Sequence, residues 1–230
     1  MTTWVAIAAG AIALVALTVL TVALVRVIKG TPQLDGVEVD TPEDDTTVGP
    51  EGACRSVQSA TVTFQHGAMP VLWTPQMLER LGRTYWAYMS TFTLHLVRVF
   101  YTETERSMSL LFRPIKLITF DAPDYAATDT GGRISWRIGG GLLVSRAMQK
   151  RSVAHLEIEV WALEPLPDGR ERVHVEVEIQ NFYPLFQRIS PWLYRNTQSR
   201  IHVLLCYGFL RRLAQRDLEE SVTGRFSEAS

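Results

Sequence analysis

The chain opens on 22 successive residues without a charge, Trp4 to Val25 (WVAIAAGAIALVALTVLTVALV). As a helix rising about 1.5 Å per residue this run spans roughly 33 Å, close to the roughly 30 Å of a bilayer core, and it is apolar on every face. The pattern predicts one uncleaved transmembrane helix. A signal peptide calls for cations ahead of a shorter apolar core and a small-x-small cleavage site behind it. Neither Met1-Thr2-Thr3 nor Ala23-Leu24-Val25-Arg26 supplies these. Arg26 and Lys29 follow the span, so the positive-inside rule places the C-terminal domain in the cytoplasm. Gly30 to Arg55 then loses the apolar pattern and is broken by Pro32, Pro42, Gly49, Pro50 and Gly52, which reads as a flexible acidic linker.

From Ser56 the pattern takes up a period of two. Val57, Ser59, Thr61 and Thr63 alternate with Ala60, Val62 and Phe64, predicting a strand that ends at Gly67 and Pro70. Thr74-Pro75 is a cap and first-turn pair that opens a helix through Met77, Leu78, Leu81, Tyr85 and Tyr88. Thr91 to Tyr101 predicts a further strand, the polar 102–106 a turn, and Met108 to Phe120 another strand bent at Pro114. Ile134, Trp136 and Ile138 form the next alternation, and Gly139-Gly140-Gly141 turns into a short strand, Leu142 to Arg146. Two clear alternations follow. Leu156, Ile158 and Val160 oppose Glu157, Glu159 and Trp161. After the hairpin loop at 165–169, Val173, Val175, Val177 and Ile179 oppose His174, Glu176, Glu178 and Gln180. Such strands belong to an antiparallel sheet with one covered and one solvated face. The cover is expected from a long terminal helix opened by Ser190-Pro191 and running to about Glu220, with Leu204 and Leu205 toward the sheet.

The expected organisation is therefore an anchor over 1–29, a linker over 30–55, an α+β domain over 56–220 and a disordered tail over 221–230. Its sheet is antiparallel and curved, with about six to seven strands gripping a long C-terminal helix. In the order and length of these elements, Ser56 to Glu220 resembles the START-like (helix-grip, Bet v 1-like, polyketide-cyclase-like) superfamily, with no signature motif involved. The resemblance implies an apolar cavity between sheet and terminal helix that takes a hydrophobic small molecule or lipid.

Charge changes this picture little. The net charge is −1, but Gly30 to Cys54 carries seven acidic residues and no basic one, while Arg55 to Ser230 carries 21 Lys/Arg against 17 Asp/Glu. That excess is too small and dispersed for nucleic acid. Cys54 and Cys206 are too few for a disulfide framework or a four-ligand zinc site. No catalytic motif is present, and the five histidines show no ligand-like spacing. Asp121, Asp124 and Asp129 share a loop without calcium-loop spacing. No cofactor or metal is expected. The residues that would line a cavity are Trp86, Trp136, Phe182, Tyr183, His202 and Tyr207. The leading expectation is a membrane-anchored binding module with no protein partner specified. The alternatives are a cyclase or hydratase on a similar ligand, and a ligand-free scaffold for other membrane proteins.

The anchor reading has a direct test. The mature chain is expected to keep Met1–Lys29 and to fractionate with membranes. Intact-mass measurement and N-terminal sequencing check this, and a terminus beyond Lys29 contradicts it.

Overall fold

A computed structural model describes residues 36–49, 52–102, 104–111, 115–144, 153–183 and 199–221, with the backbone alone at 199–202. Among the described residues, ten strands and two helices follow one another. They are β1 (Val37–Val39), β2 (Glu43–Val48), β3 (Cys54–Phe64), α1 (Pro75–Phe92), β4 (Val97–Tyr101), β5 (Glu105–Leu110), β6 (Lys116–Asp121), β7 (Asp124–Ala127), β8 (Gly131–Gly140), β9 (His155–Leu163), β10 (Glu171–Phe182) and α2 (Ser199–Ala214). The strands form one antiparallel sheet in the order β1–β3–β10–β9–β8–β6–β5–β4. β2 also pairs with β3, along Cys54–Ser59, and β7 with β8, along Gly132–Ser135.

The strong alternations of β9 and β10 hold. Val175 lies opposite both Ala60 and Val160, Val177 opposite Ile158, and Ile158 opposite Ile134 of β8. These side chains make one apolar face, buried to 4% exposure or less. Burying a branched apolar side chain contributes roughly 1.5–3 kcal/mol, so this row is a main source of the domain's stability. The opposite face carries His174, Glu176, Glu178, Glu157 and Glu159, all partly exposed.

α1 begins as its sequence predicts: Met77 N–H donates to the Thr74 hydroxyl at 3.2 Å, and Pro75 occupies the first turn, where no N–H is required. It ends at Phe92, where the Thr93 N–H and hydroxyl both donate to Met89 O and the chain reverses through left-handed Leu94 and His95. Gly82 sets its depth. A Cβ there would come within 2.8 Å of the Trp136 ring and 2.9 Å of Ile134, so the absence of a side chain lets α1 lie directly on β8. α2 packs against α1, β3 and β1. Its Gly208 is in turn overlain by Tyr88 of α1, whose ring occupies the space a Cβ would need.

Several expectations are corrected. The sheet has ten strands instead of six or seven, because β1 and β2 form within the acidic segment and β7 within the Asp121–Asp129 loop. β2 reads as linker because its side chains stay exposed while its backbone bonds to β3. The strand expected over Thr91 to Tyr101 is the end of α1, a turn and then β4. Met108 to Phe120 is two strands of a hairpin, since β5 and β6 pair with each other; Pro114 lies outside the described residues. Leu142 to Val144 holds a turn and a single bridge in place of a strand. The expected long terminal helix is not found among the described residues. The described helix is the 16 residues of α2, and the middle of the sheet is covered by α1, whose Gly82 permits the closer approach. Residues 184–198 lie outside the described residues. No helix among the described residues is long and apolar enough to cross a membrane, so the expected transmembrane helix, and the membrane attachment that rests on it, have no counterpart among them. Trp4–Val25 itself lies outside them.

Gly208→Ala measures the fit of the two helices. In an open helix this change adds about 1 kcal/mol of stability. Here overlap with Tyr88 is expected to reverse the sign, since overpacking costs about 1–3 kcal/mol, and to lower the melting temperature. In a Tyr88→Leu background the same change should be close to neutral or stabilising. Thermal unfolding of the four proteins gives the coupling.

Candidate functional site

The space between sheet and helices is filled with rings. Trp86 on α1 and Trp136 on β8 meet edge to face with centroids 5.2 Å apart. Trp86 also touches Phe120 at 5.0 Å and Tyr85 at 5.2 Å, and Tyr85 meets Phe209 of α2 at 5.7 Å. Three of these contacts are close to perpendicular and the Trp86–Phe120 pair is tilted, an interlocking that leaves little room between the rings. Trp86, Trp136, Tyr85 and Phe209 are each exposed by 2% or less. Burial holds the Tyr85 phenol well above its ordinary pKa, so it stays neutral.

Of the six residues expected to line a cavity, the structure brings together only Trp86 and Trp136. Phe182 is buried at the end of β10, opposite Cys54 and past a register shift at left-handed Asn181. Tyr183 is the partly exposed residue that follows. Tyr207 turns along its own helix: Arg211 donates to its hydroxyl at 3.1 Å and lies over its ring at 4.5 Å. His202 is on α2, and its side chain lies outside the described residues. Cys206 is buried against Gln58, its sulfur 3.9 Å from the amide oxygen, and burial pushes its thiol pKa up.

A pocket of about 150 Å³ opens on the other side of Trp86. Arg83, Trp86, Ala87 and Ser90 line it from α1, at spacings that put them on one helical face. Val99 and Tyr101 line it from β4, two apart and therefore on one side of the strand. Glu219 closes it from the segment 217–221, which crosses α1 as a strap. Arg80 donates to Glu219 O at 2.9 Å and Leu218 O at 3.2 Å, Glu219 N–H donates to Thr84 Oγ1 at 2.9 Å, and Ser221 donates to Glu79. The guanidiniums of Arg83 and Arg106 lie over the Tyr101 ring at 5.8 and 5.0 Å. Burial pushes the Tyr101 phenol up to about 12, outweighing both arginines, so it is a neutral donor at pH 7. Arg83, Val99, Tyr101 and Glu219 were not expected from sequence. The spacing 83, 86, 87, 90 is the only local signal, and it does not reveal that β4 and the strap face it.

The solvated face of the sheet is acidic. Glu178 lies opposite Glu157 across β10 and β9, and Glu176 opposite Glu159. Arg55 pairs with Glu178 at 2.6 Å and Arg133 with Glu157 at 3.5 Å. Burial, and then the Glu178 and Glu159 charges, raise the Glu176 carboxyl above its ordinary value; burial likewise raises Glu157.

A scan against protein-family models and a search of curated proteins found no match to this chain.

Glu176 offers a check on this electrostatic description. A raised carboxyl pKa means that the folded state holds the proton more tightly than the unfolded chain. The charge therefore weakens folding as pH rises from the ordinary value, about 4.3, through the raised one. Glu176→Gln removes that penalty. It is expected to raise the melting temperature at pH 7, with the gain shrinking toward zero near pH 4. A pH series of thermal unfolding curves reads both.

Proposed function

We propose that the domain is a non-catalytic interaction module that presents its surface to a protein partner, the scaffold-type alternative among the readings above. The observation that carries this is the packing of Trp86, Trp136, Tyr85, Phe120 and Phe209 into the space a hydrophobic ligand would need. A cavity for a lipid-sized ligand runs to roughly 300 Å³ or more, and these rings occupy the centre of the described interior. Their contacts resemble a core and do not resemble a ligand wall.

The reading also draws support from one end of the sheet. Leu94, Leu111, Ile115 and Leu142 are 41–53% exposed. Backbone bonds tie their loops together: Leu111 N–H to Leu96 O, Leu110 N–H to Ile115 O, and Leu142 N–H to Lys116 O. Leu94 and Leu111 are held in the left-handed region, at φ 54° and 55°, a conformation that costs a branched side chain free energy. Exposed aliphatic groups gathered on strained turns are a surface suited to apolar contact.

Native mass spectrometry of the purified full chain is expected to show no stoichiometric lipid or isoprenoid, and a bound one would return the reading to a carrier. Leu205, exposed by 4%, should cost about 2–5 kcal/mol on change to alanine. Tyr207→Ala should cost less, because that ring is half-buried and turned to Arg211.

A further inference from the structure

Arg83 lines the pocket under the strap, and its Nε is buried without an acceptor. Leaving such a donor unsatisfied costs free energy, more so for a charged group. Arg83 has its charge next to Tyr101 and makes no ion pair with a carboxylate among the described residues. The Glu219 carboxylate, which also borders the pocket, lies 3.8 Å from Arg212. Ser90 is already committed, donating to Val97 O at 2.9 Å.

We propose that this pocket binds a small carboxylic acid as its anion, with the carboxylate on the Arg83 guanidinium and an apolar body against the Trp86 ring, Ala87, Val99 and Tyr101. The site needs none of the interaction-module reading and would stand without it. The size follows from the volume. About 150 Å³ is the room a benzene ring takes in an apolar cavity, which limits the body to about six to ten non-hydrogen atoms. The charge follows from the donors. One guanidinium edge suits a planar monoanion, while a phosphate dianion would meet a single cation and the negative Glu219 on the rim. Apart from Ser90 and Glu219 the remaining walls are apolar or aromatic, so a compact polar ion such as acetate would leave them uncovered.

Benzoate, titrated into the purified full chain at pH 7 by ligand-observed NMR and calorimetry, is the probe. Saturable binding in the millimolar range or tighter is expected. Benzamide, with the same shape and no charge, should bind at least about tenfold more weakly, the size of effect a hydrogen bond to a charged group gives. Arg83→Gln should weaken benzoate by about tenfold or more. Glu219→Gln, which removes the rim charge, should tighten it. Melting curves of each variant confirm that it is folded, and the benzoate–benzamide comparison on the unaltered chain depends on no variant. The proposal is overturned by absence of saturable benzoate binding up to about 50 mM, a range far weaker than ordinary recognition. It is equally overturned if benzamide binds as tightly, or if the folded Arg83→Gln protein binds benzoate unchanged.

Discussion

Ten residue pairs join β3 to β10, from Glu171 opposite Phe64 to Phe182 opposite Cys54. They bind segments that are far apart in the chain; Thr61 and His174, in contact across this ladder, are separated by 113 residues. Closing so long a loop costs conformational entropy before any contact repays it. Once made, the pairing constrains the rest. β10 can hold β9 on its other side, β9 can hold β8, and the chain between β3 and β8 must lie over the sheet or extend its far edge. α1 takes the first place and β4, β5 and β6 the second. The valine and isoleucine rows of the central strands supply the apolar burial that makes closure favourable.

The interior then depends on how closely three layers approach. Gly82 brings α1 onto Trp136 and Ile134, and Gly208 brings α2 onto Tyr88. With both gaps closed, the large rings interlock at 5.0–5.7 Å. The same residues that on a wider scaffold would line a cavity here form a solid core. What remains open lies outside that core, where α1, β4 and the strap fail to meet completely around Arg83.

Polar groups are distributed by the same geometry. The acidic ladder of β9 and β10 faces solvent with an arginine on each flank, so its crowded carboxylates are partly compensated. The acidic β2 lies along the β3 edge, where Asp44 accepts from Gln58 at 2.7 Å and Asp45 from Arg55 at 3.2 Å. Charges of this kind on an edge strand oppose pairing with another chain. The strap is held in contrast by specific bonds to Arg80 and Thr84, and it is this segment that gives the Arg83 pocket its third wall.

Features set by neighbours in the chain are legible in the sequence. The alternation of β9 and β10, the Thr74-Pro75 start of α1 and the hairpin loop at 165–169 each follow from the local period or from turn chemistry, and each is found. The edge strands are not legible there, because a strand such as Glu43–Val48 is specified by backbone bonds to β3 and leaves its side chains exposed like those of a linker. Nor is the choice of covering helix. Trp86, Trp136 and Tyr207 all read as inward aromatics, but which of them meet depends on approach distances set by Gly82 and Gly208 against partners far along the chain. The sequence by itself determined which faces are apolar. Only the tertiary structure decided what each face packs against, since packing is settled by volumes brought together across the chain and no local pattern records them.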